Sequence, residues 1–338
     1  MKSAGIPFRS LALRSLRSTD RSVHLVLDPL RLALSVPQAA AILAHERPAA
    51  ILTTGGYVAI PVLAAARPLG IPTILWEGNV IPGRSVRATA RLATAVAVSF
   101  GETCGALAVA EQRCFLTGTP IREFGSIDPI AARERFGIGP GERLMLVFGG
   151  SQAVRRFNAA VAAVLPTLIE RTHIVHVTGD AGYADALAHR ETLPATLRAR
   201  YRPFPFLGAE MGDALVAADL IVGRAGSSTL AEATALGKPL VVVPYPHAAG
   251  HQRANARQLV ETGAALLVED EAFDAAALLD AAAILDDPAR HARMAAAARE
   301  LGRPGAADAV AELVLAAAER RPLPDPEATD RRSRGLAA

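Results

Sequence analysis

Short apolar runs alternate with longer amphipathic runs along most of this chain. The short runs are rich in Val, Ile and Leu and end in Gly, Ser, Thr or Asn, whereas the longer runs repeat their apolar positions at helical spacing. This alternation predicts parallel strands joined by helices, in two successive doubly wound α/β sheets. The predicted strands cover residues 24–27, 49–53, 73–76, 95–99 and 114–117 in the first series, and 144–148, 174–178, 220–223, 240–244 and 265–268 in the second.

Length and turn residues indicate where the domains divide. A chain of 338 residues is long for a single core, so we expect two domains. Gly, Pro and Asp turns surround a short helical run after residue 125, and Pro and charged residues dominate after residue 321. We predict an N-terminal domain over residues 1–125, a connection over 126–142, a C-terminal domain over 143–303, a final helix over 304–321 and a disordered tail over 322–338.

Charge, hydropathy and cysteine content narrow the class of protein. The net charge is only +3, and no basic stripe is interleaved with aromatic residues, so nucleic acid is not an expected partner. The longest apolar run, residues 57–66, is too short to span a bilayer and contains Pro61. Cys104 and Cys114 have no second pair beside them, and we expect two reduced thiols rather than a disulfide or a metal site.

The stretch 218–256 carries the clearest chemistry. Its strand, residues 220–223, ends in an Arg-Ala-Gly-Ser-Ser-Thr turn that opens a helical run. Such a turn can bind phosphate, because glycine lets the backbone approach and the first N–H groups of a helix attract negative charge. Taken alone, the segment fits an ordinary Ser/Thr-capped turn equally well. Further glycine turns at 55–56, 118 and 149–150 follow other predicted strands, and ligands bind beyond the carboxyl ends of parallel strands.

Six short motifs, in this order, resemble those of the family 28 glycosyltransferases. They are Thr-Gly-Gly-Tyr-Val at 54–58, Trp-Glu-Gly-Asn at 76–79, Gly-Thr-Pro-Ile-Arg at 118–122, Gly-Gly-Ser-Gln at 149–152, Arg-Ala-Gly-Ser-Ser-Thr-Leu-Ala-Glu at 224–232 and His-Gln-Arg-Ala-Asn-Ala at 251–256. The resemblance implies a GT-B fold, in which two Rossmann-like domains with parallel sheets face a cleft. It also implies transfer of N-acetylglucosamine from UDP-N-acetylglucosamine (UDP-GlcNAc) to lipid I, an undecaprenyl-linked muramoyl-pentapeptide, giving lipid II for peptidoglycan synthesis.

The resemblance implies a set of substrate-binding residues as well. Asn79 matches a donor-binding asparagine, Arg122 a nucleotide-binding arginine, and Leu207 a position whose backbone pairs with uracil. The remaining matches are to contacts with diphosphate, ribose and sugar: Ser151, Ser227, Ser228, Thr229, Leu230, Ala231, Glu232 and Gln252. The residue types suit these roles, because the carboxylate of Glu232 can bind two ribose hydroxyls and the amide of Gln252 both donates and accepts.

We expect neither a metal ion nor a cofactor. The helix that begins near Ser227 can stabilise a departing diphosphate, and no Asp-x-Asp pair follows a predicted strand. The acidic triplet 269–271 is expected to be a solvated turn. His247 and His251 lie near the proposed sugar site, and we favour a loop role over ligand contact for each.

The start of the chain departs from the family pattern. The family opens with a strand and a glycine-rich loop ending in a histidine that is a proposed catalytic base, and residues 1–22 match neither. A start set too late, a fragment, and a loss of catalysis would each explain this, and we favour the first two. We therefore expect the first βα unit to be missing, and the chain as written to bind the donor well and to transfer it poorly. Glu77 is a candidate base, although we favour for it a structural role, bonded to loop amides.

The lipid acceptor implies a peripheral position at the inner leaflet, on the cytoplasmic side of the cell membrane. Basic and apolar residues near the start are candidates for that surface, and a solvated helix explains them equally well. They are Arg9, Leu11, Leu13, Arg14, Leu16, Arg17 and Arg21. Two other functions stay open: a glycosyltransferase for a different lipid or metabolite, and a UDP-sugar-binding protein with little or no turnover.

Overall fold

The chain folds into two compact units, each with its own parallel sheet. The computed structural model describes residues 7–13, 24–150, 154–248 and 250–336. The first unit is the chain up to Thr119 together with the residues from Gly305 onward, and the second unit is Pro120–Pro304. Two α/β units with parallel sheets confirm the predicted fold class.

Helices cover both faces of the four-stranded sheet in the first unit, whose strand order is β1-β2-β3-β4. Its strands are Ile51–Thr53 (β1), Thr73–Glu77 (β2), Ala95–Val98 (β3) and Cys114–Leu116 (β4), and its helices are His24–Glu46 (α1), Ala59–Ala66 (α2), Arg84–Thr89 (α3), Glu102–Ala106 (α4), Ala306–Ala318 (α13) and Pro326–Ser333 (α14). Leu75 packs with Leu63 of α2, and Phe115 packs with Leu313 of α13. Every residue of β3 is consequently buried, which explains its uninterrupted apolar sequence.

The two C-terminal helices belong to the first unit, and the predicted disordered tail is wrong because residues 326–333 form α14. The carboxylate of Asp325 caps this helix by accepting a hydrogen bond from the backbone N–H of Glu327 at 2.8 Å. Arg332 pairs with Glu312 of α13 at 2.6 Å. A cap and a long-range ion pair therefore order a segment whose composition alone indicates disorder.

The six strands of the second unit lie in the order β10-β9-β8-β5-β6-β7. Its strands are Leu144–Phe148 (β5), His173–Val177 (β6), Tyr201–Phe204 (β7), Leu220–Gly223 (β8), Leu240–Val242 (β9) and Ala265–Leu267 (β10), and its helices are Pro129–Arg135 (α5), Val154–Ile169 (α6), Asp180–Glu191 (α7), Met211–Ala217 (α8), Ser227–Ala235 (α9), His251–Glu261 (α10), Ala275–Asp286 (α11) and Pro288–Leu301 (α12). The chain proceeds from β5 outward to β7 and then from β8 outward to β10, so the strand order reverses between β5 and β8. Such a reversal opens a crevice for ligands at the carboxyl ends of the two strands.

The predicted connection over residues 126–142 is part of the second unit. Arg133 of α5 donates to the carbonyl of Ala217 at 3.1 Å and pairs with Asp219 at 3.2 Å. The Asp219 carboxylate also accepts from the backbone N–H of Leu144, at 2.8 Å. These bonds tie the segment to the start of β5, which is why the boundary falls before Pro120 rather than at residue 125.

Two local predictions are wrong. Residues 24–27 form the first turn of α1 and not a strand, because their apolar run continues the helical pattern that follows. Cys104 and Cys114 form a disulfide, because α4 places Cys104 beside the start of β4 with 5.9 Å between the two Cα atoms.

A buried histidine lies under the helices α6 and α7. His176 on β6 is 1% exposed, and its Nδ1 atom lies 3.0 Å from the hydroxyl of Tyr201. Burial lowers the pKa of His176 to about 3 and raises the pKa of Tyr201. The imidazole is therefore neutral in the folded protein at neutral pH.

Candidate functional site

The turn between β8 and α9 lies where the strand order reverses. Gly223 ends β8 so close to β5 that an added Cβ would meet the carbonyl oxygen of Phe148 at 3.1 Å. Gly226 is the N-cap of α9 in extended backbone, and no side chain in the described part of the chain caps this helix. The first N–H groups of α9, beginning with Ser227, therefore have no helical acceptor and can bind an anion.

The predicted residues of α9 divide between exposed and buried positions. Ser227, Thr229 and Ala231 are half-buried, Ser228 is exposed, and Leu230 and Glu232 are buried. Any ligand contact of Leu230 would thus come from its backbone. Ser151, the predicted serine of the preceding glycine turn, lies outside the described residues.

The structure brings together Glu232 and Arg122, which were predicted separately as ribose and nucleotide contacts. Arg122 Nε lies 2.6 Å from Glu232 Oε1. Glu232 is only 8% exposed, whereas the Arg122 side chain is 40% exposed. The charge-assisted bond orients the carboxylate on α9, and a carboxylate oriented in this way can accept hydrogen bonds from a pair of hydroxyls.

The loop after β9 is braced by the predicted sugar-binding residue. Gln252, half-buried in the first turn of α10, accepts a hydrogen bond through Oε1 from the backbone N–H of Tyr245 at 2.9 Å. His247 is exposed, and its ring lies edge-on to Tyr245 at 5.4 Å between centroids. The Oε1 atom of Gln252 thus supports the loop, and its Nε2 atom is the group that can donate to a ligand.

Arg224 connects the turn after β8 to the loop after β9, a role that we did not predict from the sequence. The residue is 7% exposed, and its Nη1 atom donates to the carbonyl of Val243 at 3.1 Å and to Asp270 Oδ1 at 2.6 Å. Its guanidinium lies 5.0 Å from the ring centroid of Phe157 and 5.4 Å from that of Tyr245. In the sequence, the feature that could have indicated this role is the position of an arginine directly after an apolar strand.

The acidic triplet 269–271 is only partly the solvated turn that we predicted, because Glu269 and Asp270 are half-buried and form ion pairs while Glu271 is exposed. Asp270 pairs with Arg224 and also with Arg156, at 3.3 Å, while Glu269 pairs with Arg253. These cations neutralise the carboxylates of Glu269 and Asp270, which explains why two acids can lie half-buried after β10. Within the described ranges, no cluster of three or more His, Cys, Asp or Glu side chains could hold a metal ion.

Leu207, the predicted uracil position, follows the edge strand β7. Its side chain is 6% exposed, so recognition there would use the backbone. The preceding residue, Phe206, is 76% exposed, which is unusual for an aromatic ring beside a core position. Aromatic faces stack on nucleobases, and this exposure adds Phe206 to the candidate residues.

Glu77 and Asn79 of the first unit contact each other. The Glu77 carboxylate is buried and accepts from the Asn79 backbone N–H at 2.9 Å, from Asn79 Nδ2 at 2.9 Å and from the Gly83 N–H at 3.1 Å. This arrangement is the structural role that we favoured for Glu77, and it argues against Glu77 as a base. Asn79 is half-buried two residues after the end of β2, and the Glu77 carboxylate orients its side chain.

The predicted membrane-facing residues are only partly described. Arg9 pairs with Glu46 at 2.8 Å, Leu11 packs against α1 and α2, and Leu13 is half-buried. Arg14, Leu16, Arg17 and Arg21 lie outside the described residues. Across the described ranges, no helix has the length and hydropathy to cross a bilayer.

Family models match both halves of the chain. The glycosyltransferase family 28 N-terminal domain matches residues 1–98, and the family 28 C-terminal domain matches residues 144–312. These ranges contain every predicted donor-site residue except Arg122.

Several relatives are more than a third identical to this chain over the aligned residues. A UDP-N-acetylglucosamine--N-acetylmuramyl-(pentapeptide) pyrophosphoryl-undecaprenol N-acetylglucosamine transferase from Chlorobium luteolum is 39% identical over 93% of this chain and 84% of its own length. The enzyme of the same name from Prosthecochloris aestuarii is 41% identical over 81% of this chain and 73% of its own length. Among solved structures, Acinetobacter baumannii MurG is similar with a TM-score of 0.71 at 27% identity, covering 93% of this chain and 86% of that one.

Proposed function

The chain belongs to glycosyltransferase family 28, and we propose that it transfers N-acetylglucosamine from UDP-GlcNAc to lipid I, giving lipid II. The observation that carries this proposal is the pairing of an uncapped helix start with a buried carboxylate on the same helix. α9 offers N–H groups for a diphosphate, and Glu232, oriented by Arg122, offers a carboxylate for ribose.

Each part of the donor then has a proposed contact. The diphosphate binds at Ser227, Ser228 and Thr229, and uracil pairs with the backbone at Leu207 while stacking on Phe206. The Nε2 atom of Gln252 donates to a hydroxyl of the sugar. The half-buried positions of Ser227 and Gln252 and the exposure of Phe206 support this arrangement.

The proposed reaction is an inverting displacement. The muramoyl hydroxyl attacks the anomeric carbon and loses its proton to the solvent, the bond between that carbon and the β-phosphate oxygen breaks, and UDP departs with its negative charge. The N–H groups and dipole of α9 stabilise that charge without a requirement for metal. Because the oxygens of Glu77 already accept three hydrogen bonds, we assign no base for the acceptor hydroxyl.

Transfer of radiolabelled sugar to a short-chain lipid I analogue tests the proposal. We expect a labelled lipid II product, formed equally well in a chelator. Glu232→Ala should lower kcat/KM by about tenfold or more, because the ribose hydroxyls lose a charged acceptor. Glu261→Ala is the matched control, since Glu261 lies exposed on α10. Equal losses in the two variants would contradict the assigned role of Glu232.

Two other functions are tested by the same assay. The hydrogen bonds that the Glu77 carboxylate already accepts favour a UDP-sugar-binding protein with little turnover. Such a protein would bind UDP-GlcNAc but form no labelled product. A transferase for another lipid would give product with a different polyprenyl or glycolipid acceptor and none with the lipid I analogue.

We also propose peripheral attachment to the cytoplasmic face of the cell membrane, where the acceptor's lipid is embedded. Phe8 and Leu34 support an apolar contact, since they are 57% and 63% exposed. Sedimentation with anionic vesicles should weaken in Phe8→Ser and Leu34→Ser. Ile130→Ser is the control, because Ile130 is 68% exposed in the second unit. Unchanged sedimentation of both first-unit variants would exclude this surface.

A further inference from the structure

Three arginines alternate along the chain at the edge of the second sheet, and one of them finds no hydrogen-bond acceptor among the described residues. Arg198 pairs with Glu191 at 3.2 Å, and Arg200 lies 3.7 Å from Glu142. Arg202, on the edge strand β7, is different. No hydrogen bond or ion pair from the described part of the chain reaches its guanidinium, although its Nε atom is buried.

The backbone of a glycine positions this unpaired guanidinium. Gly137 follows α5 with a φ of +63°, and a Cβ at that position would collide with Arg202 Nη2. The space that a side chain would take is therefore filled by the guanidinium. Burial, and then the charge of Arg190, lower the pKa of Arg202, so the fold holds this cation in a place that disfavours its charge.

A second arginine lines the same small cavity. The cavity has a volume of about 240 Å³, and Arg190, Arg202, Tyr183 and Leu187 are among the residues that line it. Arg190 Nε donates to a backbone carbonyl at 3.2 Å, and its Nη1 atom is 3.6 Å from the nearest carboxylate oxygen, that of Glu191. Two guanidinium groups of the same charge thus share this cavity, and none of the described residues that line it is acidic.

We propose that this cavity binds a small phosphate-class oxyanion between Arg190 and Arg202. An unpaired, partly buried charge is costly, and an anion that accepts from both guanidiniums would remove that cost. The planar fork of arginine matches the oxygens of phosphate in a bidentate contact. The volume suits an ion of this size and is too small for a nucleotide sugar. The cavity is separate from the proposed donor site, because Arg202 lies at the start of β7 and α9 follows the carboxyl end of β8.

Calorimetric titration with inorganic phosphate at constant ionic strength tests the site in the full chain. We expect Arg202→Gln to weaken one phosphate-binding event by about tenfold or more, because a charged, bidentate partner is lost. Arg190→Gln should weaken the same event. Arg293→Gln should leave it unchanged, since this exposed arginine on α12 removes an equal charge outside the cavity. A phosphate bound at the start of α9 would persist in all three variants.

Thermal unfolding provides a second measurement that does not depend on counting sites. In chloride, Arg202→Gln should unfold at or above the wild-type temperature, because the substitution removes an uncompensated cation. Phosphate should raise the unfolding temperature of the wild type and of Arg293→Gln more than that of Arg202→Gln. Identical phosphate responses in Arg202→Gln and Arg293→Gln would overturn the proposal. So would Arg202-dependent binding to phosphatidylglycerol vesicles in the absence of any response to free phosphate.

Discussion

Replacement of His176 by asparagine should reduce the loss of stability of the second unit in acid. His176 is 1% exposed and its Nδ1 atom bonds the hydroxyl of Tyr201, while Arg155, Asp185 and His189 line the cavity above it. Burial lowers its pKa from 6.5 to about 3. Asparagine keeps a polar group near the tyrosine hydroxyl but does not titrate.

The sign and size of the effect follow from this pKa difference. Below pH 6.5 His176 binds a proton in the unfolded chain, whereas in the folded chain it binds one only near pH 3. The stability that the neutral imidazole contributes is therefore fully present above pH 6.5 and is lost as the pH falls towards 3. With these two values, the free energy of unfolding decreases by about 2 kcal/mol between pH 7 and pH 5. For a unit of this size, that corresponds to a fall of about 4–8 °C in unfolding temperature.

Hydrogen exchange of the β6 amides isolates this unit, because unfolding of the whole chain need not be a two-state process. The opening free energy is compared at pH 7 and pH 5 for the wild type, for His176→Asn and for His189→Asn, whose histidine is exposed. We expect the acid-dependent loss to be smaller by about 2 kcal/mol in His176→Asn alone. An equal loss in the wild type and His176→Asn would refute the assignment of the acid sensitivity to this buried imidazole.

Three further predictions concern the donor site and the C-terminal helices. Calorimetry should show that Glu232→Ala weakens UDP binding by about tenfold and weakens 2′-deoxy-UDP binding less, because the proposed role of the carboxylate is to bind the ribose hydroxyls; equal losses would contradict this role. Gln252→Glu keeps an acceptor for the Tyr245 N–H but removes the Nε2 donor. It should therefore weaken the binding of UDP-GlcNAc by about tenfold and leave the binding of UDP unchanged. A parallel loss of affinity for UDP would mean that Gln252 only supports the loop. Asp325→Ala removes the cap of α14 and should lower the free energy of unfolding of the first unit by about 1 kcal/mol. Denaturant unfolding monitored by the fluorescence of the single tryptophan, Trp76, measures this change, and an unchanged unfolding midpoint would show that the cap is dispensable.

Most strands of the two sheets could be predicted because burial on two faces leaves a local signature, whereas the edge strand β7, whose residues alternate between buried and half-buried positions, was missed. Each residue of β5 and β8 is buried, so an unbroken apolar run ending in glycine marks them in the sequence. The tail was not predictable in this way. Its order depends on Asp325 and on the bond between Arg332 and Glu312, and neither contact leaves a periodic pattern.

Contacts between distant residues are also invisible to local patterns. Arg122 and Glu232 were each predicted as ligand contacts, but they are 110 residues apart and their pairing appears only in the fold. The same holds for Arg224 and Asp270, which are 46 residues apart. A sequence motif identifies the residue type at a strand end, whereas the order of the strands in the sheet determines which distant residue lies beside it and orients it.

The contacts of Arg224 also affect how the proposed donor site is organised. Arg224 follows β8 but donates to a carbonyl at the end of β9, and its guanidinium lies over Tyr245, whose N–H is bonded by Gln252. The turn after β8 and the loop after β9, where we propose that the diphosphate and the sugar bind, are therefore positioned by one another before a ligand arrives, which lowers the entropy cost of ordering them on binding. Substitutions at Arg224 and Gln252 should then be non-additive, because loss of either contact already loosens the loop that the other one supports.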